Sequence, residues 1–501
     1  MVFAFGQKNK PRRSGTLRRN GKHYARHRPV QHQRRSSRSF SQDLGRLTAW
    51  SKRLDWTLLR FNMSGMNLRS PTVLPTIRNA ADTYRPRKRS LTAGAIKWSS
   101  VLSVVLALAM APGESRNLDW HSSGLALTRD KISAAIASAM RHEKYPSAAM
   151  LNVYGKQKQV QLDYSFDPVI QTTADSLFAR YKPDFGAFAA IDPETGRILA
   201  LSSYIKGGEN LGNLALHGGF PAASVFKTVT AAAALDQHKL KPNSVVPFNG
   251  RSTTLYKRQI LKHKNNKWTR RPTLTEAYAK SMNPVFARIG IYQIGGATLD
   301  RYARKFGFNQ DIRSDVSFDT GKTQIDPAND WNIAEAASGF TRTNTLSPLH
   351  GAMLAASIVN DGVMMKPFVI TRGTAREGML LYQSQPEQFA RPISASTARA
   401  MRQLMRQTVK TGTARKSFRR FLKSHKGLDV GGKTGSLSGT DPKGKTDWFI
   451  GYAERNGKKI AYASVTVNKE KWTVKSHYVA RKVVESWLSS QSMNIKVANG
   501  D

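Results

Sequence analysis

A serine and a lysine three residues apart open an apolar run in this chain. Ser224 and Lys227 lie in "PAASVFKTVTAAAAL", residues 221–235. On a helix, residues i and i+3 share a face about 5–6 Å apart, so Lys227 can reach the Ser224 hydroxyl. A serine needs a neighbouring base to become a nucleophile, and an apolar environment disfavours the charged form of a lysine. The spacing therefore predicts nucleophilic catalysis by Ser224 with Lys227 as the base.

Two rival pairings of a serine with a base occur nearby. Ser203 and Lys206 also match Ser-x-x-Lys, but they end a predicted strand, where residues i and i+3 face opposite sides. His217 precedes Ser224 and suggests a serine–histidine pair, yet no G-x-S-x-G turn surrounds the serine. We therefore expect His217 to be structural.

Two more motifs follow Ser224 in order. Ser281-Met282-Asn283 lies in a segment with helical spacing, and Lys433-Thr434-Gly435-Ser436 lies on a predicted strand. Ser-x-x-Lys, Ser-x-Asn and Lys-Thr-Gly form the ordered motif set of penicillin-recognising serine enzymes. Over residues 165–490 the chain resembles the penicillin-binding transpeptidases that cross-link peptidoglycan. The stretches "TLTEAYAKSMNPVFARIG", "SPLHGAMLAASIVNDGVMMKP" and "DWFIGYA" add to this resemblance.

The resemblance implies catalytic roles for the first two motifs. Ser224 would be acylated, and Lys227 would be its base. Ser281 and Asn283 would relay protons and hold the substrate peptide. No cofactor is expected, since the family works by covalent catalysis through its serine.

The third motif is expected to bind the substrate. By the same resemblance, the terminal carboxylate of a stem peptide would be bound by Lys433, Thr434 and Ser436. Gly435 would let the strand lie close to the peptide, and the backbone N–H groups of Ser224 and Ser436 would form the oxyanion hole.

Two other stretches match either the third motif or the pattern of a phosphate loop. Lys410-Thr411-Gly412 is a second Lys-Thr-Gly, but it follows a helical pattern and resembles the family's Gly-Thr-Ala stretch, so we prefer Lys433. "GTDPKGKT", residues 439–446, matches a phosphate loop. That loop requires a helix after it, whereas "DWFIGYA" has the composition of a strand, so we do not expect nucleotide binding.

The elements that must position these residues alternate between strands and helices. Apolar runs on both sides of residues 192–196 predict a β-hairpin, and Asn456-Gly457 predicts another. Helical spacing follows Thr273 or Thr275 as the cap and recurs near the C-terminus. We predict an α/β (α+β sandwich) fold with an antiparallel sheet flanked by helices. The resemblance implies a β-lactamase/transpeptidase-like fold with an all-helical subdomain.

Composition limits the cofactors and suggests partners. The chain has no Cys, and 79 Lys+Arg against 33 Asp+Glu give a net charge of +46. We expect no metal site, because neither cysteine pairs nor H-E-x-x-H are present. Residues 251–271 and 410–426 are basic stretches without an acid. They either attract an anionic polymer such as cell wall or lipid, or are solvated loops. Nucleic acid is not an expected partner.

Composition and the resemblance together divide the chain into five regions. Residues 1–94 are basic and expected to be disordered, 95–113 resemble a membrane anchor or signal segment, and 114–164 form a linker or short N-terminal region. Residues 165–490 would be the transpeptidase domain, and 491–501 a C-terminal tail. The catalytic domain is then expected outside the cytoplasmic membrane, periplasmic or extracytoplasmic, either tethered or exported. A buried soluble helix at 95–113 is the alternative.

The missing hydrolytic base separates branches of the family. Class A β-lactamases use a glutamate that activates water, but no glutamate occurs between Glu276 and Glu335. We therefore expect a peptidoglycan D,D-transpeptidase acting on D-Ala-D-Ala stem peptides, with β-lactam antibiotics as covalent inhibitors. A D,D-carboxypeptidase, or a β-lactam-binding sensor or scaffold protein of the envelope, remains an alternative. The short stretch between the apolar segment and the domain argues against an added glycosyltransferase.

Overall fold

The computed structural model of the chain describes residues 125–208, 211–262 and 264–498. The predicted basic tail and the apolar segment at 95–113 lie outside these residues, as does the end of the C-terminal tail. Within the described part, no helix has both the length and the hydropathy needed to span a bilayer.

A five-stranded antiparallel sheet forms the centre of the fold, in the order β4-β3-β11-β10-β9. Its strands are β3 (Phe185–Ile191), β4 (Ile198–Ile205), β9 (Asp429–Thr440), β10 (Lys443–Arg455) and β11 (Lys458–Asn468). Both predicted hairpins are present, β3–β4 and β10–β11. Asn456 and Gly457 both have positive φ, as a two-residue hairpin turn of this type requires. β9 is an edge strand and carries the Lys-Thr-Gly motif.

Two smaller sheets lie outside the central one. Their strands are β1 (Ala148–Val153), β2 (Lys156–Tyr164), β5 (Met364–Met365), β6 (Ile370–Ala375), β7 (Leu380–Gln383) and β8 (Gln388–Ala390). β1, β2, β6 and β7 form one sheet, and β5 pairs with β8. Part of the region set apart as a linker therefore forms strands that pair with the region after it.

Helices pack on the faces of the central sheet, and several of them come from the part of the chain between β4 and β5. They are α1 (Arg129–Arg141), α2 (Pro168–Tyr181), α3 (Lys227–Asp236), α4 (Lys257–Leu261), α5 (Leu274–Ala279), α6 (Asn283–Ile289), α7 (Gly296–Lys305), α8 (Asp330–Ser338), α9 (Pro348–Val359), α10 (Ala395–Lys410), α11 (Arg415–Ser424) and α12 (Ser476–Ala498). The predicted architecture, an antiparallel sheet flanked by helices with a helical region, is confirmed.

Local signals explain where several helices begin. Thr273 caps α5 by accepting from the Glu276 backbone N–H, and Ser347 caps α9 ahead of a proline at its first position. One expectation was wrong. Ser281 does not lie inside a helix but in the break between α5 and α6, with a φ of 55°.

The apolar, alanine-rich run after Ser224 is a buried helix. All residues of α3 from Lys227 to Leu235 are buried, and α3 packs against α7, α8 and α10. Small alanine side chains allow these helices to approach closely. The run therefore withdraws Lys227 from solvent.

A salt-bridge network anchors the start of β9 to α10. Arg406 donates to both carboxylate oxygens of Asp429, at 2.5 and 2.7 Å, and Arg402 bridges Asp429 and Glu454. Paired geometry of this kind is among the stronger arrangements of charged hydrogen bonds. The network holds the edge strand that carries the third motif.

His350 is a buried neutral histidine that joins two loops. Its Nδ1 accepts from the Gly321 backbone N–H at 2.7 Å, so its Nε2 donates to the Phe306 carbonyl at 2.7 Å. Its ring packs on Phe308, which in turn packs on Phe226 beside Ser224. Burial lowers the pKa of His350 to about 4.

This histidine should make the fold sensitive to acid. As the pH falls below 6.5, His350 binds a proton in the unfolded chain, whereas in the folded chain it stays neutral until about pH 4. The free energy of unfolding therefore falls as the pH drops through this window. The loss from this group is roughly 3 kcal/mol. Urea unfolding at several pH values should show a shallower decline for His350→Gln. Asp315, whose pKa burial raises to about 6, contributes with the opposite sign in both proteins. Identical slopes for the two proteins would contradict the assignment.

Candidate active site

Ser224 lies on a tight 3-10 turn, Ala223–Phe226, directly before α3. Ala223 has a φ of 49°, a left-handed conformation that costs a non-glycine residue about 1 kcal/mol. Strained backbone of this kind persists only where the surrounding structure holds it. Here Gly339 supplies part of that support, because its backbone lies against the Ala223 carbonyl.

Gly339 leaves no room for a side chain. It ends α8 with a φ of 63°, and a methyl group there would overlap the Ala223 carbonyl. We expect Gly339→Ala to lower the unfolding free energy by about 1–3 kcal/mol and to slow acylation of Ser224 by a penicillin. Gly378→Ala is the matched control, since Gly378 also has a positive φ but no neighbour within 4 Å. Equal effects of the two substitutions, in urea unfolding and in acylation rate, would contradict this role.

Lys227 is fully buried and contacts three oxygens. Its Nζ lies 2.7 Å from Ser224 Oγ and 2.7 Å from Asn283 Oδ1, and it also contacts the Ser338 carbonyl. Burial, and secondarily the charge of Lys433, holds its pKa well below the ordinary lysine value. Among the described residues no carboxylate contacts Lys227. A lysine so placed favours the neutral amine.

The hydrogen count of a neutral amine suits a base. Asn283 Oδ1 and the Ser338 carbonyl can only accept, so they take the two N–H bonds of a neutral Lys227. The remaining lone pair then points to Ser224, whose hydroxyl donates to it across 2.7 Å. The geometry thus allows Lys227 to remove the Ser224 proton.

Asn283 is held in one orientation by the loop before α4. Its Nδ2 donates to the Thr253 carbonyl at 2.9 Å, and its backbone N–H donates to the Ser252 carbonyl at 2.7 Å. A carbonyl oxygen can only accept, so the amide nitrogen faces Thr253 and the amide oxygen faces Lys227. These backbone acceptors carry no side-chain signature that sequence reasoning could detect.

Lys433 is the second buried lysine of the site. Its Nζ donates to Ser281 Oγ at 2.9 Å and to the Thr434 carbonyl at 2.8 Å, and it lies over the Tyr278 ring. Burial lowers its pKa to about 7. Ser281 itself has a left-handed backbone, with a φ of 55°. The structure therefore joins the second and third motifs directly.

The edge strand β9 runs beside Ser224. A methyl group at Gly435 would come within 3.3 Å of the Ser224 backbone nitrogen. Ser436 donates its hydroxyl to Asp447 at 3.0 Å, and the hydroxyls of Thr434 and Thr413 lie 2.6 Å apart. An edge strand with free backbone groups can receive an extended peptide as an added strand.

Two of these contacts were not predicted. Thr413 follows the second Lys-Thr-Gly stretch, so the resemblance of that stretch to Gly-Thr-Ala was the available signal. Asp447 lies opposite Ser436 in the β9–β10 register, and only a paired-strand alignment could have found it. Lys410 itself ends α10 and is exposed.

The rival sites lie elsewhere or lack the required elements. His217 lies 3.8 Å from Asp319 and 3.5 Å from Asp441, measured from ring nitrogen to carboxylate oxygen. Residues 439–446, which match the phosphate-loop pattern, span the turn between β9 and β10. The chain continues from them along β10 and not into a helix, so this stretch is not a phosphate loop. In the part of the chain that the structure describes, no group of His, Asp and Glu residues has a geometry that could hold a metal ion.

The arrangement places a serine hydroxyl and two buried amines close together. Ser224 faces the buried amine of Lys227, and Lys433 with the hydroxyls of Thr434 and Ser436 lies on the adjacent strand. No acid pairs with either lysine among the described side chains. The site is therefore suited to a substrate with a carboxylate next to an acyl group.

The sequence is similar to those of known proteins. The family model of the penicillin-binding protein transpeptidase domain matches residues 186–488. The peptidoglycan D,D-transpeptidase PbpA of Mycobacterium tuberculosis is 26% identical over 343 residues, which cover 61% of this chain and 67% of that protein. The stage V sporulation protein D of Bacillus subtilis is 23% identical over 306 residues, which cover 56% of this chain and 44% of that protein.

Solved structures share the fold. The D,D-transpeptidase domain of a peptidoglycan glycosyltransferase from Eggerthella lenta matches with a TM-score of 0.56 and 24% identity, covering 67% of this chain and 84% of that one. Penicillin-binding protein A from M. tuberculosis matches with a TM-score of 0.56 and 23% identity, covering 66% of this chain and 82% of that one. That protein has also been solved as a penicillin G acyl-enzyme, a complex that matches with a TM-score of 0.51 and 24% identity and covers 66% of this chain and 81% of that one.

Proposed function

The chain belongs to the family of penicillin-binding protein transpeptidase domains, and we propose that it is a D,D-transpeptidase that cross-links peptidoglycan stem peptides ending in D-Ala-D-Ala. The observation that carries the proposal is the contact of Ser224 with a buried, acid-free Lys227, 2.7 Å apart. Beside this pair, the second buried lysine, Lys433, provides a place for a terminal carboxylate.

Acylation begins with attack by the Ser224 hydroxyl oxygen on the carbonyl carbon of the penultimate D-Ala. The hydroxyl proton passes to Lys227, and the carbonyl oxygen becomes an oxyanion that accepts from the backbone N–H groups of Ser224 and Ser436. Collapse of this intermediate breaks the peptide bond. The terminal D-Ala leaves as an amine after taking a proton by way of Lys227 and Ser281, and an ester to Ser224 remains.

The acyl group then passes to an acceptor amine. The amine attacks the ester carbonyl, its proton passes by way of Lys227 to the departing Ser224 oxygen, and Ser224 is released as the hydroxyl with a new peptide bond in place. Water in the amine's place would give carboxypeptidation. β-Lactam antibiotics would acylate the same serine, and no carboxylate contacts the pair among the described residues to activate a hydrolytic water.

Binding of the terminal carboxylate of the substrate should depend on Lys433 far more than on Lys410. Lys433 is a buried residue of β9, whereas Lys410 is exposed at the end of α10. We expect Lys433→Ala to lower kcat/KM for a D-Ala-D-Ala peptide by about 10²- to 10³-fold, the usual cost of losing a buried charge partner. Lys410→Ala should stay within about twofold. Equal losses in this assay would overturn the assignment of the third motif.

A peptide assay separates the proposed activity from its alternatives. The purified chain would be incubated with a stem pentapeptide and an amine acceptor, and the products resolved by mass spectrometry. Transpeptidation predicts a cross-linked product together with free D-Ala. Hydrolysed tetrapeptide alone would make the protein a carboxypeptidase, and neither product from folded protein would support the sensor or scaffold role.

The location and wider partners of the domain complete the proposal. We place the catalytic domain outside the cytoplasmic membrane, tethered or exported through residues 95–113. The basic stretch at 251–271 then faces the anionic polymers of the envelope. Fractionation of cells that carry the tagged chain, with and without residues 95–113, tests the tether.

A further inference from the structure

The described residues of the segment Asn249–Arg271, here called the basic loop, are held in place by hydrogen bonds although most of them lie outside helices and strands. Phe248 and Arg270 bond to each other at its base. Asn249 Nδ2 donates to the Lys264 carbonyl at 2.9 Å, and the Tyr292 hydroxyl lies 3.1 Å from the Ile260 carbonyl. The loop is therefore a fixed surface on which its side chains are displayed.

The surface of the basic loop is strongly cationic. Its sequence contains no Asp or Glu, and among the described residues none of its cations forms a salt bridge. These cations, all exposed, are Arg251, Lys257, Arg258, Lys262, Lys264, Lys267, Arg270 and Arg271. Such a cluster attracts an anionic ligand and raises its local concentration.

Two aromatic rings interrupt the charges. Trp268 is 74% exposed and Tyr256 is 42% exposed, and Lys267 lies over the Trp268 ring. A large aromatic side chain left in solvent suggests a face that a ligand covers. The combination fits a ligand that carries both carboxylates and sugar rings, whose apolar C–H faces can stack on an aromatic ring.

The start of the basic loop contacts the second motif of the candidate active site. The carbonyls of Ser252 and Thr253, near its start, hold the backbone and the side chain of Asn283. Asn283 in turn contacts Lys227. A ligand bound to the basic loop would therefore lie close to the residues that meet the substrate. This proximity favours the substrate polymer over a lipid bilayer.

From this we propose that the basic loop is a binding surface for a peptidoglycan strand, which it holds through the free carboxylates of the stem peptides and through Trp268. The inference rests on the proposed function, since it names a second contact of the same substrate. It also assigns Ser252 and Thr253 as the link between that surface and Asn283.

A pair of charge-matched variants tests the surface. The first replaces Lys262, Lys264, Lys267 and Arg271 of the loop by glutamine. The control replaces the same number of exposed cations on α11, namely Lys416, Arg419, Arg420 and Lys423, by glutamine. Both variants lose the same net charge. Co-sedimentation with purified, protein-free peptidoglycan sacculi is measured at low and high salt, and acylation by a fluorescent penicillin is measured in parallel.

The proposal predicts opposite behaviour in the two variants. Sacculus binding by the loop variant should fall about tenfold or more, because each lost cation weakens attraction to a polyanion, while the α11 variant stays within about threefold. The Trp268→Ala substitution should also weaken sacculus binding, and its effect should persist at high salt, where the charges are screened. Penicillin acylation should persist in the loop variant, because none of its four altered side chains contacts Ser224 or Lys227.

Three outcomes would overturn the inference. Equal losses in both variants would mean a general charge effect, and unchanged binding in both would mean that the loop is merely solvated. Loop-dependent binding to vesicles containing phosphatidylglycerol, with none to sacculi, would assign the surface to lipid. Failure of the proposed function looks different, because the unaltered chain would then form no cross-linked product in the peptide assay, whether or not penicillin acylates it.

Discussion

Replacing Ser224 by alanine should abolish the release of D-Ala from a stem pentapeptide, with a loss of about 10⁴-fold or more in kcat. In the described site, Ser224 is the hydroxyl that faces the Lys227 amine, at 2.7 Å. The carbonyl carbon would then meet no nucleophile, whatever the affinity for the peptide. The measurement is D-Ala release by purified protein under saturating substrate.

The same substitution should leave the fold intact. Ser224 is only partly buried, and its hydroxyl makes one contact, so the unfolding free energy should change by less than about 1 kcal/mol. Ser203→Ala is the matched control, because Ser203 belongs to the other Ser-x-x-Lys pair and should remain active. Activity that survives Ser224→Ala, or a loss of activity in Ser203→Ala alone, would place the nucleophile elsewhere.

Replacing Lys227 should have the second largest effect. Methionine retains most of the buried aliphatic volume but removes the base, so acylation should slow by about 10³-fold. Lys227→Arg retains a positive charge that cannot act as a base and should fail to the same extent. If the lysine served only to supply charge, the arginine variant would instead recover much of the activity.

The pH dependence of acylation gives a second measure of Lys227. The amine must be neutral to accept a proton, so the rate should rise with pH as Lys227 loses its proton. Because burial holds its pKa well below the ordinary lysine value, this rise should occur below the pH range in which an exposed lysine titrates. Lys227→Met should lose this limb of the profile. A limb that persists in the variant would belong to another group.

Motif order and local patterns predicted much of the site. The segments carrying Ser224, Asn283 and Lys433 lie far apart in the chain, and the structure brings their side chains to one place. Hairpin and capping signals also placed their elements correctly, because turn and cap residues act over three or four positions. Such signals need no knowledge of tertiary contacts.

Ser281 shows where a periodic pattern misleads. Apolar spacing continues across residues 274–289, but the helix breaks before Asn283, and Pro284 restarts it in the first turn of α6. Proline is favoured in the first turn of a helix, and Pro284 is the second residue of α6. The Asn283-Pro284 pair was therefore the signal for a break, and the break gives Ser281 its left-handed backbone.

Other parts of the site depend on backbone atoms from distant segments. The carbonyls of Ser338, Ser252 and Thr253 bind Lys227 or Asn283, and every residue type has such a carbonyl. Their positions follow from how α8 and the basic loop pack beside α3 and α6. Sequence patterns report the face that an element buries, not the neighbour it is buried against.

The most direct test of the account is covalent labelling of the purified chain with a fluorescent penicillin, followed by a chase over hours and mapping of the labelled peptide. We expect one label, on the peptide that contains Ser224, which persists through the chase because no carboxylate among the described residues contacts the Ser224–Lys227 pair to activate a deacylating water. No label on folded protein, or a label on another residue, would contradict the assigned nucleophile. A label lost within seconds would make the protein a hydrolase instead of a transpeptidase.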